Sequence, residues 1–168
     1  MNILIMCGGN KMLPRKIISA SISGALFAIL LGFAMPYPFG EQVAVEQNYF
    51  YSASTIINVY LMYSFPVILL YGVLTSIISD KVAEFMTKKS GNKNIEIFVS
   101  GVLHIVFGLV LLPYSLGASV LFFVTDRLLQ KQSKNFYWLQ TIKSFVIPIT
   151  IWIISLSIVW MEHFINNS

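Results

Sequence analysis

Long stretches without a charged residue are the feature that most limits what this chain can fold into. Charged side chains occur in short clusters, and four uncharged runs separate them: residues 17–40, 49–79, 97–125 and 144–161. A hydrocarbon core of about 30 Å is crossed by about 20 helical residues at about 1.5 Å each. An unpaired backbone amide in lipid costs several kcal/mol, and a helix pairs these amides internally. The pattern therefore predicts an all-α polytopic transmembrane bundle.

The composition supports the same conclusion. Hydrophobic residues make up 57% of the 168 positions and charged residues 11%, against about 45–50% and about 25% in soluble domains. The mean hydropathy is +0.76. Segments outside the uncharged runs are too short to build a core of their own, so we expect a single membrane domain over residues 1–168 with no soluble domain.

We predict the first two membrane spans at about 17–35 and 51–79. Basic residues in short loops concentrate on the cytoplasmic side of a membrane. Three such residues stand directly before the first span: Lys11, Arg15 and Lys16. The segment between the two spans has Glu41 and Glu46 but no Lys or Arg. We therefore expect the N-terminus in the cytoplasm and this segment outside, with Pro66 able to kink the second span.

The run over residues 97–125 allows two interpretations. The first is one tilted helix. The second is a hairpin of two short segments at about 95–112 and 114–129, folded at Pro113, whose arms either cross the bilayer or form a re-entrant loop. Four of the 11 basic residues follow this run, so a single helix would place those four outside the cell, whereas a hairpin keeps all 11 inside. The hairpin fits the usual distribution of basic residues better. We predict a last span at 144–161, which makes four to five membrane segments and, with the hairpin, an external C-terminus.

Small residues recur at every fourth position of the first span, at Ala20, Gly24, Ala28 and Gly32. This spacing puts them on one helix face, where the lack of bulky side chains lets another backbone come close. Packing against this protein's own helices is the ordinary use of such a stripe. Homodimerisation is the functional alternative.

His104 is the only ionisable residue predicted to lie well inside an apolar run, and Gly101 and Gly108 share its helix face. Ionisable groups are expensive in a bilayer and are functional candidates, as proton relays or ligand contacts. The structural alternative is a neutral imidazole bonded to a nearby carbonyl or hydroxyl, and we expect the second span to provide that partner. Without a carboxylate at the same depth, the relay is the weaker interpretation.

Five hydroxyl side chains of the second span are spaced so that they share one helix face: Tyr60, Ser64, Tyr71, Thr75 and Ser79. Hydrogen bonds between helices, about 0.6–2 kcal/mol each, are the commoner use of such residues. A substrate path lined by hydroxyls is the alternative.

We expect no catalytic, cofactor-binding or metal-binding residues. The sequence has no phosphate-binding loop, nucleophile elbow, paired intramembrane acids or His-Glu-x-x-His motif. The single cysteine, Cys7, excludes an internal disulfide framework. Asp126 and Arg127 are interpreted as a marker of the membrane boundary, where an ion pair contributes little. Basic residues flank the apolar runs without forming a continuous patch, which argues against nucleic acid as a partner.

Several short pieces of the sequence stand out: Pro36-Tyr37-Pro38-Phe39-Gly40, His104-Ile105-Val106-Phe107-Gly108, Leu112-Pro113-Tyr114, Gly117-Ala118-Ser119-Val120-Leu121-Phe122-Phe123 and Asp126-Arg127. Through them the chain, from Met12 to about Leu129, resembles an uncharacterised family of small multi-pass membrane proteins of Gram-positive bacteria. The resemblance implies a location in the plasma membrane. It carries no activity, substrate or catalytic residue.

We predict a non-enzymatic integral membrane protein that interacts with lipids, with other membrane proteins or with itself. A small-molecule transporter or efflux unit is one alternative, although its usual intramembrane acid is missing from the first, second and last spans. An immunity or stress protein against membrane-active peptides is the other, because that role needs no special residues. The start of translation stays open between Met1 and Met12, since Met12 stands close before the first span.

Overall fold

The computed structural model describes residues 3–38, 49–90, 94–110, 113–132 and 136–166, and these stretches are helical over most of their length. Seven α-helices are present in them: α1 (Ile3–Ala34), α2 (Tyr49–Val67), α3 (Val73–Ser90), α4 (Asn94–Val110), α5 (Pro113–Lys131), α6 (Trp138–Ser144) and α7 (Val146–Asn166). A π-helical turn, Ile68–Gly72, joins α2 to α3. Within the described residues there is no strand, which confirms the all-α class.

Three helical runs are long and apolar enough to cross a membrane, judged by length and composition: Met12–Ala34, Tyr49–Lys89 and Trp138–Ile165. Ile95–Leu109 is a shorter apolar helix. These runs agree with the membrane class predicted from the uncharged stretches. The number of crossings stays a prediction.

Helix α1 is the centre of the bundle and packs against α2, α3, α5, α6 and α7. Its face carries Ala20 and Phe27 into a core that joins several helices. The other buried members of that core are Ile68, Val73, Ala118 and Phe122. At the far end of α1, the Tyr49 hydroxyl donates to the Phe33 carbonyl, so α1 and α2 run antiparallel with their connected ends in contact.

The second helical run contains Pro66 shortly before its π-helical turn. Proline has no N–H to donate to the carbonyl four residues earlier, and the π-helical turn Ile68–Gly72 follows it directly. The run covers 41 residues, about 60 Å at about 1.5 Å per residue, roughly twice a hydrocarbon core. It is therefore longer than the predicted span 51–79. Its far end carries the exposed ion pair Lys88–Glu84, with nitrogen and oxygen 2.7 Å apart, which suits a position in water.

Residues 97–125 form parts of two helices rather than one. Helix α4 ends at Val110, α5 begins at Pro113, and the two pack against each other. Gly108 lies so close to Ser119 that a Cβ atom there would overlap the Ser119 hydroxyl. The hairpin predicted from the distribution of basic residues thus has a structural counterpart, whether or not its arms cross the bilayer.

The last helical run begins at Trp138, earlier than the predicted 144–161. A break at Phe145 separates α6 from α7, because Pro148 cannot donate to the Ser144 carbonyl. Hydroxyl groups attach both helices to the bundle. Ser144 donates to the Ser21 hydroxyl at 3.1 Å, and Ser155 donates to the Asn58 side chain at 2.7 Å.

Candidate functional site

Five charged side chains from three helices meet at one end of the bundle. We call them the charge cluster: Arg15 and Lys16 of α1, Asp80 of α3, and Asp126 and Arg127 of α5. They are far apart in the sequence. The packing of α1 against both α3 and α5 brings them together.

Lys16 is the centre of the charge cluster, and its side chain is fully buried. Its ammonium nitrogen lies 2.6 Å from an Asp80 oxygen and 3.2 Å from an Asp126 oxygen. It also donates to the Ser76 hydroxyl. The three donor positions of the ammonium group therefore each have an acceptor, which is the condition for burying a lysine in its charged form.

Asp126 is also buried and receives most of its hydrogen bonds from α1. Arg15 donates Nε to one carboxylate oxygen at 2.8 Å and Nη2 to the other at 3.3 Å. This is the two-pronged geometry that makes an arginine–carboxylate pair strong and directional. The pair fixes the position of α5 along the axis of α1.

Asp80 connects α3 to the hairpin. Arg127 donates to one of its oxygens at 3.0 Å, and Ser100 of α4 donates to the same oxygen at 2.9 Å. The Arg127 guanidinium also lies 5.3 Å from the centre of the Phe123 ring, within cation–π range. Its Nε is buried without a hydrogen-bond partner among the described residues.

The charge cluster is an arrangement that the sequence analysis did not predict. Besides His104, the interior of the bundle holds buried Lys16 and Asp126, and Lys16 is shared by Asp126 and the partly buried Asp80. Asp126 and Arg127 are parts of this network and not just a boundary marker. With three cations and two carboxylates ionised, the cluster carries a net charge of +1. Sequence reasoning missed it because each member stands at an end of an apolar run, where a charge is ordinarily exposed.

His104 is buried between the helices of the hairpin. Its Nδ1 lies 2.7 Å from the Ser100 carbonyl of its own helix, so Nδ1 carries the proton and donates it. The ring is stacked on Phe122 and tilted against Phe123. The prediction that the second span supplies the partner was wrong. Nε2 has no hydrogen-bond partner among the described residues.

Three hydroxyl groups of the second span donate hydrogen bonds to backbone carbonyls. Tyr71 donates to the Phe107 carbonyl of α4 at 3.1 Å, and this bond ties the π-helical turn to the hairpin. Thr75 and Ser79 donate to carbonyls four residues earlier in their own run. Only the Tyr71 bond joins two helices, as the structural interpretation of the stripe requires, while Tyr60 and Ser64 line a cavity described below.

The small residues predicted for helix packing all lie inside the bundle. Ala20 and Ala28 have no exposed surface. A Cβ atom at Gly24 would lie 2.9 Å from the Phe65 ring, and one at Gly32 would overlap Ile57. Both neighbours belong to α2, so the stripe packs against this chain's own helices.

The glycines flanking His104 face the other arm of the hairpin. A Cβ atom at Gly101 would lie 3.4 Å from the Phe123 ring. At Gly108 it would overlap Ser119 and approach the backbone of Leu116 to 3.2 Å. Gly108 is thus the tighter contact of the two.

A cavity of about 550 Å³ lies between α1, α2 and the start of α5, and we call it the outer cleft. No charged residue lines it in the part of the chain that the structure describes; representative lining residues are Leu31, Met35, Tyr60, Tyr63, Tyr114 and Ser115. It adjoins a small cavity of about 30 Å³ that His104, Tyr71 and Ser119 line, with Ile68 and Ala118 common to both. The outer cleft therefore leads inward to the neighbourhood of His104.

The length of the hairpin explains the position of the outer cleft. At about 1.5 Å per residue, Ala34 is about 27 Å from Lys16 along α1, and Pro113 is about 20 Å from Asp126 along α5. Lys16 and Asp126 are in contact, so they mark a common level. The turn of the hairpin consequently stops about 7 Å short of the end of α1. The space left above it is the outer cleft.

Within the described residues there is no group of three or more histidine, cysteine or acidic side chains placed to hold a metal ion. The charge cluster and the outer cleft are thus the two features with functional potential. Comparison with known proteins adds no assignment to either: no family model, curated protein or solved structure matches this chain.

Proposed function

We propose that this chain is a non-enzymatic, multi-pass protein of the bacterial plasma membrane that interacts with lipids and with other membrane proteins. The distribution of polarity carries the proposal. Large apolar side chains such as Leu30, Leu70 and Ile153 are 55–68% exposed around the bundle, while the charge cluster is inside. This is the reverse of a water-soluble protein and suits a lipid environment. Membership of a small multi-pass family of Gram-positive bacteria is part of the same proposal.

Five membrane segments with a cytoplasmic N-terminus are the topology we propose. Two observations support it: α4 and α5 form a hairpin, and a hairpin keeps all 11 basic residues on the cytoplasmic side. The shortness of the hairpin is tolerable because its turn stops below the outer end of α1, and a bilayer accommodates mismatch at fractions of a kcal/mol per Å.

Reporter fusions test this topology. We expect a cytoplasmic signal from a fusion at Lys131 and an external signal from one after Ser168. A fusion at Glu41 serves as the orientation control and should be external in both four-span and five-span arrangements. The opposite pair of signals at Lys131 and Ser168, with Glu41 still external, would refute the hairpin topology. Release of the protein from membranes by alkaline carbonate would refute the membrane assignment itself.

A transporter or efflux unit is the second candidate, and one observation favours it. Asp80 at the end of the second predicted span and Asp126 in the predicted segment 114–129 form an acid pair around Lys16, and the outer cleft lies above this pair on the same side of α1. Intramembrane acids commonly serve ion or substrate pathways. Cells expressing the protein should then exclude cationic dyes, and Glu84→Gln should retain that phenotype while Asp80→Asn loses it at equal expression. Unchanged dye accumulation would refute the transporter and retain the non-transporting proposal. Protection from peptide toxins in the same screen would indicate an immunity role.

A further inference from the structure

The outer cleft is a place where the described part of this bundle is open to its surroundings. We propose that it binds one acyl chain of a phospholipid from the outer leaflet. The proposal rests on the membrane location proposed above and goes beyond it by naming a site and its occupant.

The lining of the cleft identifies the chemistry of the occupant. Among the described residues, its walls are formed largely by apolar and aromatic side chains, several of them tyrosines, and include no charged residue. Its volume of about 550 Å³ lies within the range of about 300–1,000 Å³ typical of sites for small organic ligands. A charged solute would lose its hydration there without gaining a counter-charge, whereas a hydrocarbon chain loses nothing.

The position of the cleft identifies the source of the chain. The cleft extends along α1 from Phe27 to Met35, and so lies in the outer half of the bundle, above the turn of the hairpin. Its rim is open to the outside of the bundle, since Tyr63 and Tyr114 are 68% and 55% exposed. Acyl chains of the outer leaflet occupy this depth and run in the same direction as the helices. They can enter sideways without passing through water.

Packing supplies the driving force. An empty space between apolar side chains forfeits the dispersion contacts that its walls would otherwise make. Water finds partners only at the hydroxyl groups of the described walls, which belong to Tyr60, Tyr63, Ser64, Tyr114 and Ser115, while the apolar side chains that make up the rest offer none. A single chain that lies between Leu31 of α1 and Tyr60 of α2 restores those contacts.

Quenching of a tryptophan reporter by a lipid with brominated chains tests the site. The three native tryptophans are first replaced by phenylalanine. Tyr60→Trp then places a reporter in the cleft, and Leu30→Trp places a control on the exposed side of α1 at a similar level. Brominated phosphatidylglycerol is titrated into each variant of the full chain in detergent micelles.

We expect saturable quenching at Tyr60→Trp, at least two-fold stronger at low lipid than at Leu30→Trp, whose quenching should rise linearly with lipid. Ser115→Leu, which fills the inner end of the cleft, should remove the saturable part while the melting temperature stays unchanged. Equal, linear quenching of both reporters would refute the site. That result is expected if a segment outside the described residues fills the cleft. Saturable quenching by a brominated fatty acid but not by the phospholipid would refute the proposed occupant. A wrong topology would be detected separately, by the fusions.

Discussion

Removing one charge from the charge cluster should destabilise the bundle far more than removing an exposed charge. We choose Asp126→Asn, which preserves the shape of the side chain and deletes its charge. In the folded protein this carboxylate binds Arg15 through both oxygens and Lys16 through one, with little exposure to solvent. The substitution leaves buried Lys16 and partly buried Arg15 and Arg127 to share the single carboxylate of Asp80.

The expected magnitude follows from the cost of an uncompensated buried charge. Removing one partner of a buried ion pair typically costs about 3–5 kcal/mol, and we expect about 3 kcal/mol because the asparagine oxygen still accepts one hydrogen bond. Asp126→Asn raises the net charge of the cluster from +1 to +2, and Lys16→Met lowers it to zero. The double variant returns to +1. Its cost should therefore fall short of the sum of the two single costs by about 1–3 kcal/mol.

Denaturant titration in detergent micelles measures these free energies of unfolding, followed by the fluorescence of the tryptophans in α6 and α7. Glu84→Gln is the matched control, because it also deletes one partner of an ion pair, but an exposed one, and should change stability by no more than about 1 kcal/mol. A cost for Asp126→Asn no larger than that of the control would refute the reasoning. Strict additivity of the two cluster substitutions would show that the charges do not interact.

Two further predictions concern packing. Gly24→Leu and Ala28→Leu should each lower the melting temperature in detergent, because both positions are enclosed by α2 and overpacking typically costs about 1–3 kcal/mol. Leu30→Ala, on the exposed face of the same helix, should hardly change the melting temperature. Equal melting temperatures for all three variants would contradict the packing role. His104→Ala should lower the free energy of unfolding by at most about 3 kcal/mol and leave the bundle folded, since the Ser100 carbonyl also has a backbone donor in its helix. Aggregation of that variant on purification would contradict this.

Much of the fold could be predicted because short stretches of sequence determine by themselves whether a segment forms a membrane helix. An uncharged run has to be helical in lipid whatever surrounds it, so length and composition indicated α1, the run Tyr49–Lys89 and α7. The hairpin followed from the side preference of basic residues. The four-residue spacing of Gly24 and Ala28 was enough to identify a close-packed face, although not the helix against which it packs.

The charge cluster could not be predicted in this way because its chemistry depends on tertiary contacts. Lys16, Asp80 and Asp126 each stand at the end of a run, and nothing in the local sequence distinguishes a charge that points to water from one that points inward. The available signal was a serine within four positions of some members only: Ser76 precedes Asp80 and Ser19 follows Lys16, whereas Asp126 and Arg127 have none. In the structure both serines lie within hydrogen-bonding distance of the cluster.

The charge cluster and the outer cleft are consequences of one geometric fact, the shortness of the hairpin. Its arms are too short to reach from one end of α1 to the other, so their height has to be fixed by specific contacts. Apolar packing alone is weakly directional along a helix axis and tolerates sliding by a turn, whereas Arg15 and Asp126 pair at one height only. The ion pairs hold α5 beside Arg15 and Lys16, about 27 Å from Ala34 along α1, and the length that α5 lacks becomes the open space above Tyr114. The proposed binding site, near the Ala34 end of α1, thus owes its existence to charges about 27 Å away along the same helix.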